Sequence, residues 1–144
     1  MMRLEEISDR LEIDALLSRY ARAIDTLDWE LLDTVFTPDA RIDYTATGGI
    51  CGAYPEIRAW LGQVLPGFAM RQHFVTNREI TLDGDQATSR ALLFNPMGMR
   101  NQAGGLDLFY VGGCYVDRLR RTPAGWRIVE RREEQGWFDR PVRG

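Results

Sequence analysis

Two hydrophobic periods are segregated along this chain, and that order constrains the fold most. Before about residue 67 apolar residues recur mainly at helical spacing; beyond it they recur at strand spacing between tight turns. Ile13, Leu16, Leu17, Tyr20, Ala21 and Ile24 follow the i, i+3, i+4, i+7, i+8, i+11 stripe of one long helix over about Leu4 to Asp25. Asp25 extends the Leu17–Ala21 row by a turn, which aims it near the core. Asp28 reads as the N-cap of a second, short helix with Leu31, Leu32, Val35 and Phe36 on its apolar face, ended by Thr37-Pro38-Asp39. Arg41 to Thr45 reads as a strand and Gly48-Gly49 as a turn. Pro55 opens a third helix carrying Ile57, Trp60, Leu61, Val64 and Leu65, and Pro66-Gly67 stops it.

The remainder reads as β. His73 to Leu82 and Gln86 to Asn95 flank the hairpin turn Asp83-Gly84-Asp85, and Pro96 to Gly105 is expected to be a loop. Leu106 to Arg121 is a long strand that Gly112-Gly113 should bend or bulge. After the turn Thr122 to Gly125, the last strand spans Trp126 to about Phe138. Helices followed by antiparallel strands give an α+β fold with helices on one face of a sheet. At 144 residues the chain fits one domain, 1–144, able to bury a core without staples.

A net charge of -3 gives no electrostatic case for nucleic acid or an anionic membrane. The late arginines, Arg118, Arg120, Arg121, Arg127, Arg131 and Arg132, are interleaved with Asp117, Glu130, Glu133 and Glu134, as in a solvated face or an ion-pair network. Cys51 and Cys114 form no CxxC or ligand cluster and read as buried free thiols. No apolar run reaches membrane-spanning length, and Met1 to Glu6 lacks the apolar core of a signal peptide, so a cytoplasmic protein is expected.

Few residues can carry chemistry. His73 is the only histidine, and strand alternation places His73, Val75 and Asn77 on one face. A lone histidine is more often structural than catalytic. A carboxylate at a helix C-terminus, as Asp25 would be, also meets an unfavourable dipole, which calls for a compensating partner. If Asp25 meets His73, the carboxylate fixes the imidazole tautomer and stabilises its protonated form. Tyr20 and Tyr44 could then hydrogen-bond a developing oxyanion, or be core aromatics with satisfied hydroxyls. There is no GxxxxGK[ST], GxGxxG or HExxH, and one histidine makes a zinc site a poor expectation.

The run Arg19-Tyr20-Ala21-Arg22-Ala23-Ile24-Asp25-Thr26-Leu27-Asp28-Trp29 resembles the first-helix segment of SnoaL-like proteins in the nuclear transport factor 2-like superfamily. Phe36 to Tyr44, Gln72-His73-Phe74, Gly112-Gly113-Cys114-Tyr115 and Gly125-Trp126-Arg127-Ile128 continue the resemblance in order along nearly the whole chain. It implies a cone-shaped α+β barrel, with N-terminal helices packed on a strongly curved, mostly antiparallel sheet and a hydrophobic pocket at its mouth. Within the superfamily the chain is similar to cofactor-free lyases built on an Asp–His pair: scytalone dehydratase, hexachlorocyclohexane dehydrochlorinase and bile-acid 7α-dehydratase. The resemblance assigns Asp25 and His73 to that pair and Tyr20, Tyr44 and Arg131 to supporting catalytic roles. Ile24, Trp29, Asn77, Phe94, Met97 and Tyr115 are the pocket residues expected around them.

The chain also departs from scytalone dehydratase. Phe94-Asn95-Pro96 stands where that enzyme has a second active-site histidine, and Ile24 where it has a tyrosine beside the dyad aspartate. The expected activity is that of a dehydratase-like lyase or isomerase acting without cofactor or metal on a mostly apolar, cyclic small molecule. A SnoaL-type polyketide cyclase and a non-catalytic binding or scaffold domain are the alternatives. A homodimer or homotrimer is implied, with the tail Trp137-Phe138-Asp139-Arg140-Pro141 either ending the last strand or covering the pocket or a neighbouring subunit.

Overall fold

The computed structural model describes residues 1–139; Arg140 and Pro141 of the tail lie outside them. Helix α1 (Leu4–Thr26) buries Ile13, Leu16, Leu17, Tyr20, Ala23 and Ile24. Its first turn is closed by Glu6, whose carboxylate accepts the Arg3 N–H at 2.7 Å. Leu27, in the left-handed region at φ 55°, ends it. Asp28 caps α2 (Trp29–Leu32) as expected, accepting the Leu31 N–H at 3.0 Å.

That second helix is a single turn. Phe36 belongs instead to β1 (Phe36–Asp43), and Pro38 sits inside the strand. Proline is tolerated there because β1 loses register against its neighbour between Phe36 and Arg41. Thr45–Thr47 is a 3₁₀ turn rather than the end of the strand. Strand β2 (Cys51–Ala53) pairs antiparallel with β1 at the rim of the sheet, which leaves Cys51 exposed; only Cys114 is a buried thiol. Helix α3 (Tyr54–Val64) carries Pro55 in its first turn and buries Tyr54, Ile57 and Leu61.

Strands β3 (Met70–Arg71), β4 (Phe74–Asp83), β5 (Gln86–Arg100), β6 (Leu106–Thr122) and β7 (Gly125–Asp139) complete one curved, mostly antiparallel sheet. Its order is β2-β1-β7-β6-β5, with β3 and β4 in succession along the far edge of β5. Only β1–β7 is parallel among the described residues. The first half of the expected loop from Pro96 to Gly105 is strand: β5 runs to Arg100, paired with β6 down to Leu106, and residues 101–105 make the turn. Pro96 fits because its missing N–H faces the gap between β3 and β4, where its carbonyl accepts the Gln72 N–H at 3.1 Å.

The irregularity expected at Gly112-Gly113 is present, but the extra residue is in β7. Gly112 pairs with Trp137 and Cys114 with Glu134, and Gln135 takes φ 53°. Gly112 is required by contact: a Cβ there would lie 2.1 Å from the Trp137 ring. Trp137–Asp139 therefore end the last strand. Helix α1 is clamped across the sheet by polar ties. Arg121 binds the Asp9 carboxylate at 2.7 and 2.8 Å, and Glu12 accepts the Trp126 N–H at 2.9 Å.

Candidate active site

Asp25 leaves the last turn of α1, and His73 lies in the two-residue interruption between β3 and β4. The carboxylate grips His73 twice. Its Oδ2 accepts the His73 backbone N–H at 2.9 Å, and its Oδ1 meets the ring Nδ1 at 2.6 Å. The strand is interrupted where this backbone donor is taken by a side chain. The His73 side chain is 6% exposed and that of Asp25 22%. With Nδ1 donating to the carboxylate, Nε2 is left to accept a proton. The cation that the position of Asp25 called for is Arg71. Its guanidinium donates to the carbonyls of Asp25 at 3.4 Å, Leu65 at 3.3 Å and Phe68. It places positive charge at the negative end of α1.

A second cluster lies beside this pair. The Tyr20 hydroxyl is 2.8 Å from that of Tyr44 and 3.3 Å from that of Tyr115, and the Tyr20 ring stands edge-on to His73 at 6.4 Å. Burial pushes all three phenols well above their ordinary pKa, so they remain protonated donors. Arg131 supports them from below. Its side chain is fully buried, pairs with Asp117 through two hydrogen bonds of 2.8 Å, and lies 4.1 Å from the Tyr20 ring centre and 4.0 Å from that of Tyr115. Burial opposes its charge, yet the Asp117 carboxylate holds its pKa well above the ordinary value.

These groups border a cavity of about 290 Å³, open at one end. Tyr20, Ile24, Tyr44, His73, Met97 and Tyr115 line it, as the sequence predicted. Asp25 stands behind His73, and Arg131 lies beneath the tyrosines rather than in the wall. Three expected pocket residues are elsewhere. Trp29 packs beside Gly62 of α3. Asn77 is exposed because it takes φ 51° at a bulge in β4, which ends the alternation begun at His73. Phe94 is 42% exposed on the opposite face of the sheet, against Phe74, Tyr110 and Trp137. Sequence reasoning missed Trp60, Asn95 and Glu133, which line the cavity, and Phe138, in the tail expected either to end the last strand or to cover the pocket, lines it as well. For Glu133 a signal existed: it is two residues from Arg131, an expected inward residue on the same expected strand.

Glu133 is 8% exposed and hydrogen-bonded to the Thr47 hydroxyl at 2.6 Å. Burial pushes its carboxyl up to about 7 from 4.5, against the opposing hydrogen bond from Thr47 and the charge of Arg131. The folded protein thus holds this proton more tightly than the unfolded chain does. The stability linked to it is fully present below about pH 4.5 and is lost as pH rises through about 7, by up to about 3 kcal/mol. Glu133→Gln should flatten this slope and make the protein more stable than wild type above neutrality. Urea denaturation across a pH series checks it; parallel slopes for the two proteins would refute it.

Among the described residues no cluster of three or more His, Cys, Asp or Glu side chains could hold a metal ion. No helix among them is long and apolar enough to cross a membrane.

Known proteins with the same pattern are consistent with this architecture. The chain is 49% identical over 136 residues to an uncharacterized protein of Mycobacterium tuberculosis, covering 92% of this chain and 89% of the relative. A crystal structure of a Kribbella flavida protein superposes with a TM-score of 0.83 at 26% identity, covering 92% of this chain and 93% of the other. A hexachlorocyclohexane dehydrochlorinase, LinA type 2, shares the fold with a TM-score of 0.81 at 17% identity, over 96% of this chain and 93% of the other. The sequence pattern of the SnoaL-like domain matches residues 5–132. The chain belongs to the SnoaL-like domain family.

Proposed function

We propose that this protein is a lyase or isomerase that needs no cofactor and acts by proton transfer on a compact, mostly apolar, cyclic molecule. The observation that carries this reading is the Asp25–His73 pair, hydrogen-bonded at 2.6 Å, with His73 on the wall of a mostly apolar, open-mouthed cavity. His73 Nε2 takes a proton from a carbon next to an activating group. Asp25 orients the ring and stabilises the imidazolium that forms. The hydroxyls of Tyr20, Tyr44 and Tyr115 stabilise negative charge on the substrate, and the Arg131 guanidinium beneath two of their rings adds to the favourable field.

Glu133, whose carboxyl is pushed up to about 7 by burial and so keeps a proton in a large share of molecules near neutrality, supplies the proton for a leaving group. In a dehydration the C–H proton goes to His73, and the C–O bond breaks. The departing hydroxyl leaves as water with the Glu133 proton, and solvent returns the His73 proton to Glu133. The fold shared with a dehydrochlorinase accommodates chemistry of this kind.

The test is a panel of hydroxy- and halo-substituted ring compounds incubated with the protein in D₂O and followed by mass spectrometry and NMR. Loss of water or hydrogen halide identifies a lyase. Deuterium at a carbon without mass loss otherwise identifies proton transfer of the isomerase kind. A panel in which no product or exchange depends on His73 sinks the proposal.

A further inference from the structure

Asn95 is a polar cavity residue that the proton-transfer scheme leaves unused. It is 7% exposed, lines the cavity, and its Oδ1 is buried without a hydrogen-bond partner among the described residues. Buried acceptors in native proteins are nearly always met by a donor, so this one calls for an occupant.

The sheet register fixes where that occupant sits. Phe74 pairs with Phe94, and the Gln72 N–H donates to Pro96, so His73 stands level with Asn95 across the gap between the strands. On its other side Asn95 pairs with Val111, and Val111 with Phe138, both of which also line the cavity. The cross-strand neighbours of Asn95 are therefore apolar except for His73. A cationic donor is disfavoured there. The Asp25 carboxylate is committed to His73, and Glu133 is hydrogen-bonded to Thr47, level with Ala91 four residues away along β5. A neutral O–H is the donor that suits the site.

We propose that Asn95 forms a hydroxyl-binding subsite beside His73. The ligand is a compact, mostly apolar molecule whose hydroxyl donates to Asn95 Oδ1, presenting a neighbouring carbon to the imidazole. This rests on reading the cavity as a substrate site, but it is separable from the proton-transfer scheme because it concerns binding alone.

The experiment uses the whole protein and three probes transparent where tryptophan absorbs: decahydro-2-naphthol, its methyl ether and 2-methyldecahydronaphthalene. Trp60, on the cavity wall, supplies a fluorescence signal for binding. The alcohol is expected to bind about tenfold tighter than the ether or the hydrocarbon, the size of one hydrogen bond to a buried unmet acceptor. Asn95→Leu should abolish that preference while keeping hydrocarbon affinity, and His73→Ala should keep it. In wild type, the Asn95 side-chain ¹⁵N amide resonance should shift with the alcohol and not with the ether, which decides the matter even where the variant fails to fold. Equal affinities, a preference that survives Asn95→Leu, an unmoved Asn95 resonance, or no binding of the alcohol each overturn the proposal. A water held permanently by Asn95 would show as the first of these. Loss of turnover in His73→Ala with the alcohol preference intact would leave this subsite standing and bear on the proton transfer only.

Discussion

Replacing Arg131 with alanine is expected to lower the free energy of unfolding by about 3–5 kcal/mol. The guanidinium is fully buried and bound by Asp117 through two hydrogen bonds, so its removal leaves a buried carboxylate without its counter-charge. It also removes the cation between the Tyr20 and Tyr115 rings. Against a typical domain stability of about 5–15 kcal/mol, that loss takes a large fraction of the total. Arg131→Met combined with Asp117→Leu should recover most of it, because the cost lies in the uncompensated charge and an apolar pair of similar volume carries none. Urea denaturation of both variants separates the outcomes. A single variant as stable as wild type would show that the pair contributes nothing net, and a double variant no better than the single would place the cost in packing.

His73→Ala is expected to reduce turnover by ~10²–10⁴-fold with little change in stability. The asymmetry follows from the two-handed grip of Asp25. When the imidazole is removed, Oδ2 still accepts the backbone N–H of residue 73, a donor that alanine retains. Asp25→Ala should do the reverse to the fold: it strands that backbone N–H and the ring Nδ1 together, at about 1–3 kcal/mol for each group left unmet. Asp25→Asn keeps an acceptor oxygen for one of the two contacts, so it should fall between them in stability while losing activity. Kinetics on an identified substrate alongside melting curves test the ordering. A His73→Ala protein with near-wild-type turnover would end the catalytic assignment, and one as destabilised as Asp25→Ala would make the pair structural.

The parts legible in the sequence are those governed by local periodicity. The helical stripe through Ile13, Leu16, Leu17, Tyr20 and Ile24 is buried, although Ala23 takes the core place expected of Ala21, which is only half-buried, and its continuation to Asp25 does bring that carboxylate to the site. The Asp28 cap, the three helix positions and the hairpin turns also follow from local chemistry. What failed depends on long-range pairing. Asn77 left the pocket because one left-handed residue in β4 reverses the faces beyond it. Pro96 proved compatible with a strand because the neighbouring strand is absent opposite its missing donor. Phe94 and Met97 face opposite ways because β5 runs on through Pro96, which the loop expected from Pro96 onward concealed. The placement of Arg131 under the tyrosines depends on Asp117, its cross-strand neighbour on β6, a register that no local pattern reveals.

The interruption that seats His73 also bears on how these molecules behave toward one another when crowded. A sheet ends in two rows of unpaired backbone groups, and a long, flat one is a template for strand addition by another chain. One rim of this sheet is β2, only Cys51–Ala53. The other is broken at Gln72-His73 and bulged between Thr76 and Glu79, with Asn77 in the left-handed region. Neither rim offers a long, regular ladder to a passing strand, so the kink that places the imidazole also guards the sheet against growing into an aggregate.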